Sequence, residues 1–261
     1  MLGVAELTIR KLKEPAFFIM LLAAALIGLC ISDFGNLYDQ FKGDVVAQLI
    51  NVQQGYPILV GSFFAFAVTC LIAIFAGATE IPSDIETRFI MLIISKPIRK
   101  SEYIVGKFLG ILGLCFIFFI SIEVAILIGH LLKTGEFYSF GFVLRQFNLI
   151  WGILPLVGCA VMVSCFLADF SAMIVTSIYL LFALSISVVP LLVEMLPDGI
   201  GINSYLFIFY YFFPNFVYYF QSFSIVGVLG IALAMYSLTS TSLFLVIAFL
   251  QFNSRDLVEK I

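Results

Sequence analysis

The chain has 261 residues, of which 63% are hydrophobic and 11% charged, with a formal net charge of -3. A mean hydropathy of +1.17 excludes a water-exposed globular surface and leaves a polytopic membrane protein. Little length remains for a soluble domain, so residues 1–261 are read as a single transmembrane domain.

In chain order, residues 2–13 mix Leu2, Val4, Ala5, Ile9 and Leu12 with Glu6, Arg10, Lys11 and Lys13. That segregation suits an interfacial helix over 1–14, with a plain basic tail as the alternative. Pro15 opens the first apolar run, and without a small-residue cleavage site this run is expected to stay in the protein. A span needs roughly 20 apolar residues. Such runs lie near 15–31, 57–79, 103–132, 145–167, 171–193 and 225–250, predicting an all-α fold with six transmembrane helices. With the N-terminus inside, ten of the thirteen Lys and Arg residues fall on inner segments and only Lys42, Lys133 and Arg145 outside. Because basic residues are held in the cytoplasm during insertion, both termini are expected there. Residues 32–56 form an outer loop. Cys30, Cys70, Cys115, Cys159 and Cys165 lie within or at the ends of apolar runs, without a CxxC pair or a nearby His, and read as buried thiols rather than metal ligands.

The second and third runs are separated by EIPSDIETRFIMLIISKPIRKSEYIVGK, Glu80 to Lys107. Ser83 and Glu86 have capping-box spacing, which predicts a helix start at Ser83, bounded by Pro82 ahead and Pro97 behind. Ile85, Phe89, Leu92 and Ile93 then recur on one face beside Asp84, Glu86 and Arg88, giving a short amphipathic helix on the cytoplasmic side. Ser101 is expected to cap the third span and Glu102 to complement its dipole. Gly106, Gly110 and Gly113 offer a small-residue packing face. Gly106-Lys107 does not complete a phosphate loop, since Ser101 replaces the first glycine and Phe108 the magnesium-binding hydroxyl. No ATP site is therefore expected on this chain.

Within the third run Glu123 should face the bundle interior, because a lipid-exposed carboxylate costs roughly 2.5 kcal/mol or more. His130 lies two turns further on, so the pair reads as a proton relay or incomplete metal site, or as a hydrogen-bonded Glu and an interfacial His. Asp169, in ADFS, reads as a turn and N-cap between the fourth and fifth spans. Twelve of the nineteen residues from Tyr205 to Phe223 are aromatic, and Pro197, Gly199, Gly201 and Pro214 break the segment. Residues 194–224 are thus expected to form short re-entrant or interfacial helices on the outer face. They serve either as an aromatic belt or as a gate contacting cargo, with Tyr210, Pro214, Asn215 and Phe216 as gate candidates beside Glu123. Ser237 and residues 239–242 make the last run hydroxyl-rich, a pattern suited to helix packing. Neither a Ser/His/Asp arrangement nor paired intramembrane acids of a hydrolase can be assembled, so no catalytic residue and no metal site are expected.

Three stretches carry a family resemblance. EIPSDIETRFIMLIISKPIRKSEYIVGKFLG at 80–110 is similar to the signature of the ABC-2-type permeases, the membrane subunits of ATP-binding-cassette exporters. That signature has an acidic helix start, a Leu-Leu-Ser-x-Pro-like turn with basic residues, and a Gly-Lys-x-x-Gly lead into the third span. YFFPNF at 211–216 resembles a Pro-Asn-Phe element before the last span, and FNSRDL at 252–257 a basic Arg-Asp ending after it. Arg88-Phe89 stand where the family often has Gly-Thr, and Ile93-Ile94 replace Leu-Leu.

The resemblance implies two permease chains, identical or homologous, forming the pathway in a prokaryotic cytoplasmic (inner) membrane, above a dimer of separate ABC ATPase subunits that bind ATP and Mg. Residues 80–102 would be the coupling segment. Ile85, Phe89 and Leu92 would fill an ATPase groove while Glu86, Arg88, Lys96 and Arg99, with the Pro97 turn, fix its orientation. The lipid bilayer is the other partner, and no nucleic acid is expected. An ion-coupled secondary transporter or channel, or a non-transporting scaffold, is the alternative; no inverted repeat supports the former.

Overall fold

The computed structural model of the chain describes residues 56–87, 100–135, 148–186, 219 and 228–254. The expected interfacial helix at 1–14, the first span, and the outer segment at 194–224 apart from Tyr219 lie outside these residues. The described residues are helical apart from short turns, in five helices: α1 (Tyr56–Glu86), α2 (Lys100–Thr134), α3 (Asn148–Ser164), α4 (Asp169–Ser185) and α5 (Val228–Ser254).

Three of these helices are long and apolar enough to cross a membrane, over Gly61–Glu86, Lys100–Leu132 and Gly230–Ser254, while α3 and α4 are shorter apolar helices. Of the runs at 145–167 and 171–193, expected to be full spans, the described parts are α3 and α4 with 17 residues each. A tight turn through Cys165 to Ala168 separates them, with Phe166 N and Leu167 N both donating to Val163 O.

The helix start expected at Ser83 is not observed. Helix α1 continues through Pro82 to Glu86, and the Ser83 carbonyl accepts from Thr87 N at 3.0 Å and Thr87 Oγ1 at 2.8 Å. Ser83 therefore belongs to a helix end rather than a helix start. Proline forfeits one backbone bond, but the charged groups on either side of it are neutralised by α2, which favours continuing the turn. Two other expected caps also fail. Helix α2 begins at Lys100, which puts Ser101 inside its first turn, although Glu102 occupies that turn as expected. Ala168, without a side-chain cap, is the N-cap of α4, and Asp169 is the first helical residue.

Helix α3 is the central post. Thirteen of its residues are buried, and it packs on all four other described helices, so protein rather than lipid surrounds it. Small residues permit the close approaches. A Cβ on Gly77 would run into that of Ala160, and one on Gly158 would lie 3.2 Å from Thr241 Cγ2. Of the glycine face expected on α2, Gly106 and Gly110 are buried, whereas a Cβ on Gly113 would meet nothing within 4 Å. Helix α4 buries only the stripe Ala172, Thr176, Tyr179 and Ala183. Its other face exposes Phe170, Ile174, Ile178 and Leu181, apolar all round because lipid sets no requirement for a polar outer face.

Candidate functional site

Glu80 and Asp84 lie four residues apart on α1, and Tyr103 and Lys107 four apart on α2, so each pair projects from one helical face. The two faces meet. Lys107 Nζ lies 2.6 Å from Glu80 Oε2 and 2.8 Å from Asp84 Oδ2, and Tyr103 OH donates to Asp84 Oδ2 at 2.7 Å. Lys107 is only 4% exposed and Glu80 7%, so water screens these charges little and each depends on the others.

The same junction reaches α5. The Tyr103 ring stacks on Phe252 with centroids 5.6 Å apart and planes 23° apart, and Lys100 Nζ donates to the Asn253 carbonyl at 3.4 Å. Ion pair, hydroxyl and stacked ring thus fix the rotation of α1, α2 and α5 at the end where residues 88–99 connect α1 to α2. The cluster holds helices in register and does not assemble a nucleophile with a base.

Asp84 was expected on the polar face of a separate amphipathic helix. It is buried instead, because the uninterrupted α1 turns it toward Lys107. The Glu80, Asp84, Tyr103 and Lys107 cluster was missed as a unit. Its signal was the matching i, i+4 spacing on the two runs, obscured once the segment was divided at Ser83.

Of the expected coupling residues, Ile85 is partly buried and Glu86 exposed in the last turn of α1. Arg88, Phe89, Leu92, Lys96, Pro97 and Arg99 lie outside the described residues. Ile85 and Glu86, with Pro82, form one wall of an open groove of about 350 Å³ whose other wall is Ser164, Phe166, Leu167 and Ala168.

Glu123 faces the interior, as expected. Ser62 Oγ of α1 donates to Glu123 Oε2 at 3.4 Å, while Glu123 Oε1 is buried with no hydrogen-bond partner among the described residues. His130 is partly buried further along α2. Tyr210, Pro214, Asn215 and Phe216 lie outside the described residues. From the aromatic segment Tyr219 is described; it is buried and its hydroxyl pairs with Ser237 Oγ on α5. The hydroxyls of Thr239, Ser240, Thr241 and Ser242 on α5 bond back to their own helix, as Thr241 Oγ1 does to Ser237 O at 2.6 Å, in keeping with a packing role. Cys70, Cys115, Cys159 and Cys165 are buried thiols.

No curated protein matches the sequence. A family described as "ABC-2 family transporter protein" matches residues 6–257, which include the cluster, the groove and all five described helices. The chain belongs to the ABC-2 transporter family and is a membrane component of transport machinery.

Proposed function

We propose that the chain is a permease subunit of an ABC exporter, pairing with a second identical or homologous permease chain to form the pathway. Separate ATPase subunits dock below residues 80–102 and carry the ATP, the Mg and the hydrolysis. The membrane is the prokaryotic cytoplasmic one, with both termini on its inner side. The observation that carries this reading is the buried Glu80, Asp84, Tyr103 and Lys107 junction, which clamps the two helix ends flanking the charged segment. A push delivered to residues 88–99 would be passed on as a movement of α1 and α2 together, rather than absorbed by independent side chains.

In this mechanism Ile85, Phe89 and Leu92 enter an ATPase groove, and Glu86, Arg88, Lys96 and Arg99 set its orientation around Pro97. ATP-driven closure changes the tilt of the clamped helices, and the cargo path presents different contacts in its inward and outward states, as any shift between states requires. Glu123 on α2 and Tyr210, Pro214, Asn215 and Phe216 before α5 are the proposed pathway contacts.

The test is affinity purification of the tagged chain in mild detergent, with protein identification and an ATPase assay, beside the Phe89→Asp variant. An ABC ATPase that co-purifies with the parent chain, and is lost with Phe89→Asp while membrane insertion is retained, is the expected outcome. Absence of an ATPase from both samples would replace this reading with an ion-coupled carrier or a scaffold. ATPase retained by Phe89→Asp with full coupling would remove the coupling segment assignment.

A further inference from the structure

Glu123 lies in a tight stretch of the α1–α2 contact. A Cβ on Gly61 would stand 3.0 Å from Ile126 Cδ1, and the neighbouring Ser62 is fully buried. Ala65 and Phe66 of α1 and Phe119 and Ile122 of α2 are buried close by in sequence. Glu123 itself is 7% exposed, so little water reaches its carboxyl.

The charges that could answer that carboxyl are elsewhere. Among the described residues, Ser62 is the one side chain that acts on it. Helices α3 and α5 carry no Asp, Glu, Lys or Arg, Glu80, Asp84 and Glu86 stand at the other end of α1, and α4 has only Asp169, in its first turn. On α2, Lys107 is engaged with Glu80 and Asp84. His130 and Lys133 follow Glu123 by seven and ten residues, about 10 and 15 Å at the helical rise. A carboxylate at Glu123 would set a full charge against a single 3.4 Å contact, whereas the neutral acid leaves at most one hydroxyl to satisfy. Burying an unpaired charge costs far more than burying an unpaired hydroxyl, so a carboxyl in this position takes up a proton. Glu80 and Asp84 differ because Lys107 holds them as carboxylates.

We infer that Glu123 is a proton-binding site of the α1–α2 contact, loaded while the helices meet at Gly61 and Ile126 and unloaded when they part and water reaches the carboxyl. The step is a proton transfer alone: the O–H bond of the acid breaks, the proton leaves on water and the carboxylate remains. The helix movement that unloads the site rests on the permease reading above, whereas the bound proton rests on the geometry of α1 and α2. In that reading the pathway contact at Glu123 releases one proton each time the helix pair opens, and takes one up each time it closes.

The test is infrared absorption of the purified full chain in lipid nanodiscs at neutral pH, where the C=O stretch of a protonated carboxyl stands apart from carboxylate and amide bands. The parent chain, Glu123→Gln and Glu80→Gln are compared, and the parent with its co-purified ATPase is measured again after trapping with ATP and vanadate. A protonated-carboxyl band present in the parent, kept by Glu80→Gln, lost in Glu123→Gln and weakened by trapping is expected. If Glu123→Gln does not purify, dicyclohexylcarbodiimide is applied to the parent chain. It adds the O–H of a protonated carboxyl across a C=N bond and rearranges to an acylurea, so mass spectrometry should find the adduct on Glu123 and none on Glu80 or Asp84. A band absent from the parent, a band undiminished in Glu123→Gln, or an adduct on Glu80 or Asp84 but not on Glu123 overturns the inference. A band lost in Glu123→Gln but unchanged by trapping overturns the unloading and leaves the permease reading standing. Absence of a co-purifying ATPase overturns that reading, while the band of the chain alone still decides whether Glu123 holds a proton.

Discussion

Lys107 donates from one ammonium to Glu80 and Asp84, so replacing it strands two carboxylates, whereas replacing Glu80 leaves the Lys107–Asp84 pair and the Tyr103 hydrogen bond in place. Removing one partner of a buried ion pair costs about 3–5 kcal/mol, because the other charge stays desolvated. Lys107→Met is therefore expected to lose about that much stability, and Glu80→Gln about 1–3 kcal/mol. Thermal unfolding of the two variants in the same detergent would check the order. Equal losses would mean that Lys107 does not bridge both acids. These four residues were individually plain in the sequence, and the basic, acidic and aromatic types near a membrane boundary could be taken for solvated groups. What composition does not reveal is that the i, i+4 pairs on two different runs confront one another, since that depends on α1 continuing past Pro82.

At the scale of elements, the long apolar runs that became α1, α2 and α5 were legible because length and hydropathy alone decide whether a helix can cross a bilayer. Boundaries were less so. The Ser83 and Glu86 spacing satisfied the local rule for a helix start, but the tertiary pairing of Glu80 and Asp84 with Lys107 outweighed it. Between the runs at 145–167 and 171–193 the Cys165–Ala168 turn ends α3 at Ser164 and lets α4 begin at Asp169. Hydropathy cannot distinguish a lipid-facing helix from a protein-enclosed one, so the central position of α3 was invisible, although Gly158 and Ala160 hinted at close packing. The Gly77 contact with Ala160 gives this a direct check. Gly77→Val is expected to cost about 1–3 kcal/mol through overpacking, and Ala160→Gly in the same chain to recover part of it, measured by thermal unfolding. Failure of Ala160→Gly to rescue any of the loss would mean that α1 and α3 do not meet there.

Across the whole molecule, α1 and α2 share two buried polar sites of opposite character. At the end facing residues 88–99, Lys107 neutralises Glu80 and Asp84. Sixteen residues along α2, about 24 Å at the helical rise, Glu123 has, among the described residues, the 3.4 Å contact from Ser62 and an Oε1 without a partner. A clamp at one end and a carboxyl with a single contact among the described residues at the other give the helix pair two different polar sites, the second of which is the proposed pathway contact. A buried carboxylate without a cation is costly by roughly 2.5–3.5 kcal/mol in a bilayer, while an amide of the same shape carries no charge and keeps the bond to Ser62. Glu123→Gln should therefore be at least as heat-stable as the parent chain and should retain any co-purifying ATPase, while the turnover of that ATPase in the complex changes. Thermal unfolding and ATPase rate on the same preparation separate the possibilities. A fall in stability comparable to that of Lys107→Met would show that Glu123 is held ionised by a cation and belongs with the structural charges; unchanged stability and unchanged turnover would take it out of the pathway.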